Sequence, residues 1–207
     1  MPASSSPTGR RLLARQSRQH TRERIVAAAT ELVRRHSYEE LSVGAVMERA
    51  GLGRTIFYRY FDDLADLLIR ASREAIEELY DAQRALARTS VDSQVVGQAI
   101  SAAVSVYQRH GPLLRGIAEA AASDPEVAAG HRAMRRMFDG LAEEALRERL
   151  GGAEPPANLA EVARALNLMD EAYLLDAFGR ESRVSTETAV RTLTEIWVAV
   201  IDHLPEG

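Results

Sequence analysis

The chain has 207 residues, 46% of them apolar and 27% charged, with a net charge of −4 and no cysteine. That length holds one large domain or two small ones around a substantial core. The lack of cysteine excludes disulfides, thiolate metal sites and cysteine nucleophiles and fits a reducing compartment; no stretch approaches the ~20 apolar residues of a membrane span, so a cytoplasmic protein is expected.

Charge is unevenly placed. Residues 1–60 hold eleven Arg against five Glu, whereas residues 61–207 hold fifteen Arg against 25 acids. A basic first third on an acidic body predicts an anionic partner at one end. Residues 1–19, "MPASSSPTGRRLLARQSRQ", are small, polar and basic, and read as a disordered arm bearing Arg10, Arg11, Arg15 and Arg18. From Thr21, a plausible N-cap, the apolar spacing becomes helical, with Ile25, Ala28, Ala29, Leu32 and His36 on one face. Ser42 can cap a short helix over 43–50, and Gly51-Leu52-Gly53 then forces a turn. A third helix begins at residue 54. Asp62 and Asp63 suit the positive end of a helix over about 64–88. Further helices are expected over 92–109, from Pro112, over 125–150 with Asp124 as cap, over 158–178, and over 186–203 with Ser185 as cap. "GGAEPPA" (151–157) is a loop. No β-period alternation and no repeat occurs. The fold class is all-α, with about nine helices.

Four of the eleven aromatic residues crowd into "GLGRTIFYRYF" (51–61). A capped short helix, a glycine turn and an aromatic-rich helix match a helix-turn-helix, whose second helix enters the major groove of DNA. Ile56, Phe57 and Phe61 form its inward face, leaving Arg54, Thr55, Tyr58 and Arg59 outward. Arg offers a donor fork to guanine or phosphate, and Tyr bonds phosphates or touches thymine methyls. Tyr60 reads equally well as core or as a DNA contact. The amide ends at Ser42-Val43 and Thr21-Arg22 are further candidate phosphate contacts.

"LSVGAVMERAGLGRTIFYRYFDDLADLL" (41–68) resembles the signature of TetR-type transcriptional regulators, over about residues 20–70. "ALNLMDEAYLLDAF" (165–178) with "IWVAVI" (196–201) is similar to the C-terminal helices of the ethionamide-resistance regulator group. The resemblance implies a DNA-binding domain (20–63) on a helical body (64–207) that binds a small molecule and dimerises. The chain departs from the family's usual Ser at Gly53, Thr at Ile56, Ala at Met47 and Pro-Ser-Lys at Asp62-Asp63-Leu64. Leu64 cannot hold the phosphate that the family's Lys holds.

Helices 158–178 and 186–203 are apolar around most of their circumference, which predicts burial on two sides and a two-fold four-helix interface. Asn167 and Asp170 lie three apart on the first of them and need partners: each other, Arg164, the dimer partner or a ligand. Relatives carry "LNLMN" here, with amides facing an apolar pocket. The resemblance therefore implies that Asn167 and Asp170 line a cavity; Tyr107, Phe138 and Trp197 are its candidate aromatic walls. A carboxylate in place of the second amide favours a cationic or donor-bearing ligand.

An enzyme is not expected: the five histidines (20, 36, 110, 131, 203) are scattered, no phosphate loop exists, and acid pairs such as Glu77-Glu78 read as solvated faces. No cofactor or metal is implied. The expected function is a homodimeric regulator of transcription, a repressor released from operator DNA by a small apolar molecule. Two alternatives stay open: a helical interaction or ligand-binding module with weak DNA binding, and an activator of the same architecture.

Overall fold

The first helix starts well ahead of its expected cap. In the computed structural model, which describes residues 7–86 and 92–204, α1 runs Pro7–Val33. Residues 7–19 are therefore helical rather than a disordered arm, and residues 1–6 lie outside the described residues. Pro7 opens the helix where a missing N–H costs nothing, and the Leu, Arg and Gln that follow are good helix formers. Thr21 caps nothing; inside the helix its hydroxyl donates to the Ser17 carbonyl at 2.9 Å. Of the expected apolar face, Ile25, Ala28 and Ala29 are buried and Leu32 is half-buried, with Val33 buried beside it, but His36 sits beyond the helix end and is exposed.

A 310 turn (Tyr38–Glu40) leads to α2 (Val43–Arg49), capped as expected: Ser42 Oγ accepts from the Ala45 N–H at 3.1 Å. α2 ends in a Schellman motif. Gly51 takes φ 64°, its N–H donates to the Glu48 carbonyl, and the Leu52 N–H reaches the Met47 carbonyl. Only Gly51 needs its missing Cβ here; Gly53 has φ −69°. α3 (Arg54–Phe57) follows, and Ile25, Val46, Met47, Phe57 and Phe61 close the first core.

The long helix expected over 64–88 is two, α4 (Leu64–Ala71) and α5 (Arg73–Leu86), joined at the fully buried Ser72. Conversely, the expected break before Pro112 is absent: α6 runs Ser93–Ser123 with Pro112 inside. A proline in mid-helix costs about 3 kcal/mol in isolation, but Gly111, Pro112, Leu113, Leu114, Gly116 and Ile117 are all buried, so tertiary packing carries the helix through. α7 (Pro125–Arg149), α8 (Leu159–Phe178) and α9 (Thr186–Asp202) complete the body. Asp124 and Ser185 cap α7 and α9 as expected.

The body core gathers α5, α6, α7, α8 and α9 around Val104, Leu146, Leu174, Leu193 and Trp197. A separate cluster of Val33, Ala65, Leu68, Leu113, Ile117, Ala120 and Val127 joins it to the N-terminal helices. α4 is shared: Leu67 belongs to the N-terminal core and Leu68 to the joining cluster. Among the described residues no helix is long and apolar enough to cross a membrane.

Candidate DNA-binding face and ligand cavity

α3 is a single turn, shorter than the helix expected over 54–61, but with the turn at 58–60 that follows it the buried and exposed sides divide as the spacing predicts. Phe57 and Phe61 are fully buried, with their ring centroids 5.6 Å apart, and Ile56 is half-buried. Arg54, Thr55, Tyr58 and Arg59 are exposed, Tyr58 by 55%. Tyr60 is half-buried and packs against the N-terminal core, which is the core half of its double reading. Ser42 is exposed, Val43 half-buried, and both stand at the N-terminus of α2; Arg22 is half-buried along α1.

Two contacts brace this face that nothing in the sequence pointed to. An Arg24 guanidinium N–H donates to the Ala50 carbonyl at 2.7 Å, pinning α1 onto the α2–α3 turn. Arg49 pairs with Glu31 through two hydrogen bonds, the Nε one at 2.8 Å, and these hold the Glu31 carboxyl below the usual range. Both span many residues of chain, so no local pattern could reveal them. Asp62 and Asp63 serve α4. Asp63 accepts from the Asp66 N–H at 2.8 Å, and Asp66 takes the Asp62 N–H at 3.0 Å and Arg70 at 2.6 Å. Because residues 7–20 are helical, Arg11, Arg15, Arg18 and Arg22 recur at spacings of four, three and four and share one face. The side chain of Arg10 lies outside the described residues.

In the body, α5, α6, α7 and α8 enclose a cavity of about 70 Å³. A water molecule needs roughly 10–15 Å³, so this space admits a small organic molecule. Leu79, Leu114, Ile117, Met134, Phe138 and Leu175 supply its apolar wall. Tyr107, Phe138, Asn167 and Asp170, all expected to line a cavity, do so. Trp197 does not; it lines a smaller cavity of about 30 Å³ that shares Gln83, Ala103 and Asp170 with the first. Of the partners left open for Asp170, Arg164 is not one: Arg164 points to Glu161, and the Trp197 indole N–H donates to Asp170 Oδ2 at 2.9 Å. Burial pushes the Asp170 carboxyl up to about 7, against the opposing pull of that hydrogen bond. Desolvation also raises the Tyr107 hydroxyl.

Further polar groups at the cavity went unforeseen. Glu171 accepts from Arg135 Nε at 2.6 Å and lies 2.9 Å from His131 Nε2. Burial would raise this carboxyl, but the two hydrogen bonds together with the nearby Arg135 charge outweigh it and hold Glu171 low. An ionised carboxylate only accepts, so His131 Nε2 carries the hydrogen. Gln83 on α5 donates to Asn167 Oδ1 at 3.3 Å, and Asn167 Nδ2 donates to Asp139 Oδ1 at 3.2 Å. Leu168, beside Asn167, also faces the cavity. Among the described residues no group of three or more His, Cys, Asp or Glu could hold a metal.

Residues 96–202 match the family model described as the C-terminal domain of the transcriptional regulator EthR, and residues 25–71 match that of the bacterial regulatory proteins of the tetR family. The chain belongs to the TetR family of transcriptional regulators, of the EthR-like kind, and is not an enzyme. No curated protein matches it in sequence. Among solved structures, it is similar to the TetR-family regulator PfmR of Thermus thermophilus, with a TM-score of 0.71 at 19% identity over 84% of this chain and 97% of that one. A TetR-family regulator of Syntrophomonas wolfei gives 0.70 at 13% identity over 91% and 98%. The fatty acid degradation regulator FadR of Bacillus halodurans gives 0.61 at 17% over 95% and 97%. At these identities the likeness concerns the fold.

Proposed function

We propose that this protein is a homodimeric repressor whose hold on operator DNA is released when a small, largely apolar molecule occupies the cavity. Residues 20–63 act as the DNA-binding unit and residues 64–207 as the sensor and dimerisation unit. One observation carries the reading. Leu114 and Ile117 of α6 line the cavity, and the same turn of α6 bears directly on the N-terminal helices. A Cβ placed on Gly116 would lie 3.3 Å from Leu68 and 3.4 Å from Val33. The Glu119 carboxylate accepts the Tyr38 N–H at 3.0 Å while holding Arg115 at 2.8 Å. A ligand that shifts α6 therefore shifts the seat of the DNA-binding unit, and operator affinity follows by linkage.

On the DNA side, Arg54, Thr55, Tyr58 and Arg59 read the major groove, while Arg22 and the amides at Ser42 and Val43 hold phosphates; Tyr60 supports them from the core. The arginine row of α1 extends the phosphate contacts beyond the motif and substitutes for the missing Lys at Leu64. Dimerisation through α8 and α9 places two recognition helices on one operator. A gel shift against the DNA upstream of the protein's own gene tests the reading. A retarded complex that dissolves on addition of cavity-binding compounds is expected; no complex at low salt would leave a helical ligand-binding module without DNA binding.

A further inference from the structure

The hydrogen-bond relay at the junction of the two cavities has a direction. Asp139, a carboxylate, can only accept, so Asn167 turns its Nδ2 toward it and its Oδ1 toward Gln83. Gln83 then donates through Nε2, and its Oε1 is left buried with no hydrogen-bond partner among the described residues. The Trp197 indole can only donate; it occupies Asp170 Oδ2 and leaves Oδ1 buried and equally unpartnered. Asp170 is buried, with a relative exposure of only 9%, and both residues line both cavities. Two buried acceptors thus stand in the lining that the two cavities share, and no protein donor among the described residues reaches either. The cavity lining also carries three carboxylates, Asp139, Asp170 and Glu171, against the Arg135 guanidinium and the His131 imidazole, both of which Glu171 already engages.

From this geometry we infer that the effector carries a nitrogen head with at least two N–H donors, a primary ammonium above all, which bridges Asp170 Oδ1 and Gln83 Oε1. Its apolar body lies along the Leu79, Leu114, Ile117 and Phe138 wall. The inference rests on the cavity being the effector site proposed above. A carboxylate or phosphate head would meet acceptors only. A quaternary ammonium matches the charge but offers neither acceptor a hydrogen.

Four probes with one apolar tail separate these chemistries: phenylbutylamine, phenylbutanol, phenylbutyrate and the trimethylammonium analogue of the amine. Trp197, the chain's sole tryptophan, donates to Asp170 and reports occupancy by fluorescence. The amine is expected to bind the full-length protein about tenfold more tightly than any other head, the scale of one charge-assisted hydrogen bond. Asp170→Asn should bring the four to near-equal affinity, and Gln83→Met should weaken the amine while leaving the alcohol unchanged. Equal affinity for all heads in the wild type, tightest binding of phenylbutyrate, or no binding of the amine at millimolar concentration would each overturn the inference. A protonated Asp170 that simply bonds Gln83 would give the first of these results. The same samples in the gel shift separate the two claims. Amine binding that leaves the operator complex intact upholds the head-group chemistry and overturns the effector reading. An operator complex that responds equally to alcohol and amine does the reverse.

Discussion

Asp170 writes its burial into the pH dependence of stability. Its carboxyl moves from 3.8 to about 7 on folding, and each tenfold is worth ~1.36 kcal/mol, so ionising it in the folded protein costs on the order of 4 kcal/mol. Because the folded value is the higher one, the favourable contribution is complete below about 4 and is lost as pH rises through about 7. Asp170→Asn has the same shape, can still accept from Trp197, and carries no charge to desolvate. The variant should therefore melt above the wild type at pH 8, with the gap closing toward pH 5. Parallel melts across that range check this; a pH-independent gap would mean that Asp170 does not titrate there.

Tyr58 and Arg59 sit at the opposite extreme. Both side chains are exposed, and the Tyr58 ring touches Phe57 only edge-on, with centroids 5.4 Å apart. Replacing both with Ala should leave helicity and thermal stability within about 0.5 kcal/mol. Operator affinity, read by gel shift at fixed salt, should fall by at least about tenfold, since each base or phosphate contact contributes roughly 1–3 kcal/mol. Unchanged affinity would remove α3 as the recognition helix.

Among the elements, α6 meets the end of α8 closely at Gly111. A Cβ on Gly111 would stand 2.3 Å from the Phe178 carbonyl oxygen, and the obstacle is backbone that cannot rotate away. Gly111→Ala should cost about 1–3 kcal/mol by overpacking and shift the end of α8 against α6. Gly140 of α7 is the matched control: a Cβ there meets nothing within 4 Å, so Gly140→Ala should stabilise by up to about 1 kcal/mol through helix propensity alone. Denaturant titrations of the two variants check both signs.

On the scale of the whole molecule, Ile196 lies exposed on α9 by 36%, with Ala199 exposed and Val200 half-buried one turn on. Burying this strip in a two-fold bundle with α8 predicts twice the 22.8 kDa chain mass in light scattering at micromolar concentration. Ile196→Arg should split that dimer while each chain stays folded, because the side chain is already half in water. A wild-type monomer at high concentration would sink the two-fold operator model. Leu168 is unsuited to the same test, since it faces the cavity.

Much of this organisation is legible in one dimension, for a physical reason. Caps, glycine turns and apolar spacing are local, and they placed Ser42, Gly51, Asp124 and Ser185 where the structure has them. The inward and outward sides of residues 54–61 follow from a helix period, although only Arg54–Phe57 are helical. Where those expectations failed, longer-range packing outweighed a local preference. Pro112 ends a helix in isolation but not when both flanks are buried, and no local signal marks Ser72 as a junction between two helices. The candidate cavity shows the same division. Tyr107, Phe138, Asn167 and Asp170 were recognisable from residue type, helical face and family resemblance. Gln83, Asp139, Glu171 and Arg135 belong to three helices separated by dozens of residues, and Trp197 turned out to be a hydrogen-bond donor to Asp170 from the far side. Hydrogen-bond direction depends on which donor meets which acceptor in space, and that is decided only when α5, α7, α8 and α9 pack around α6.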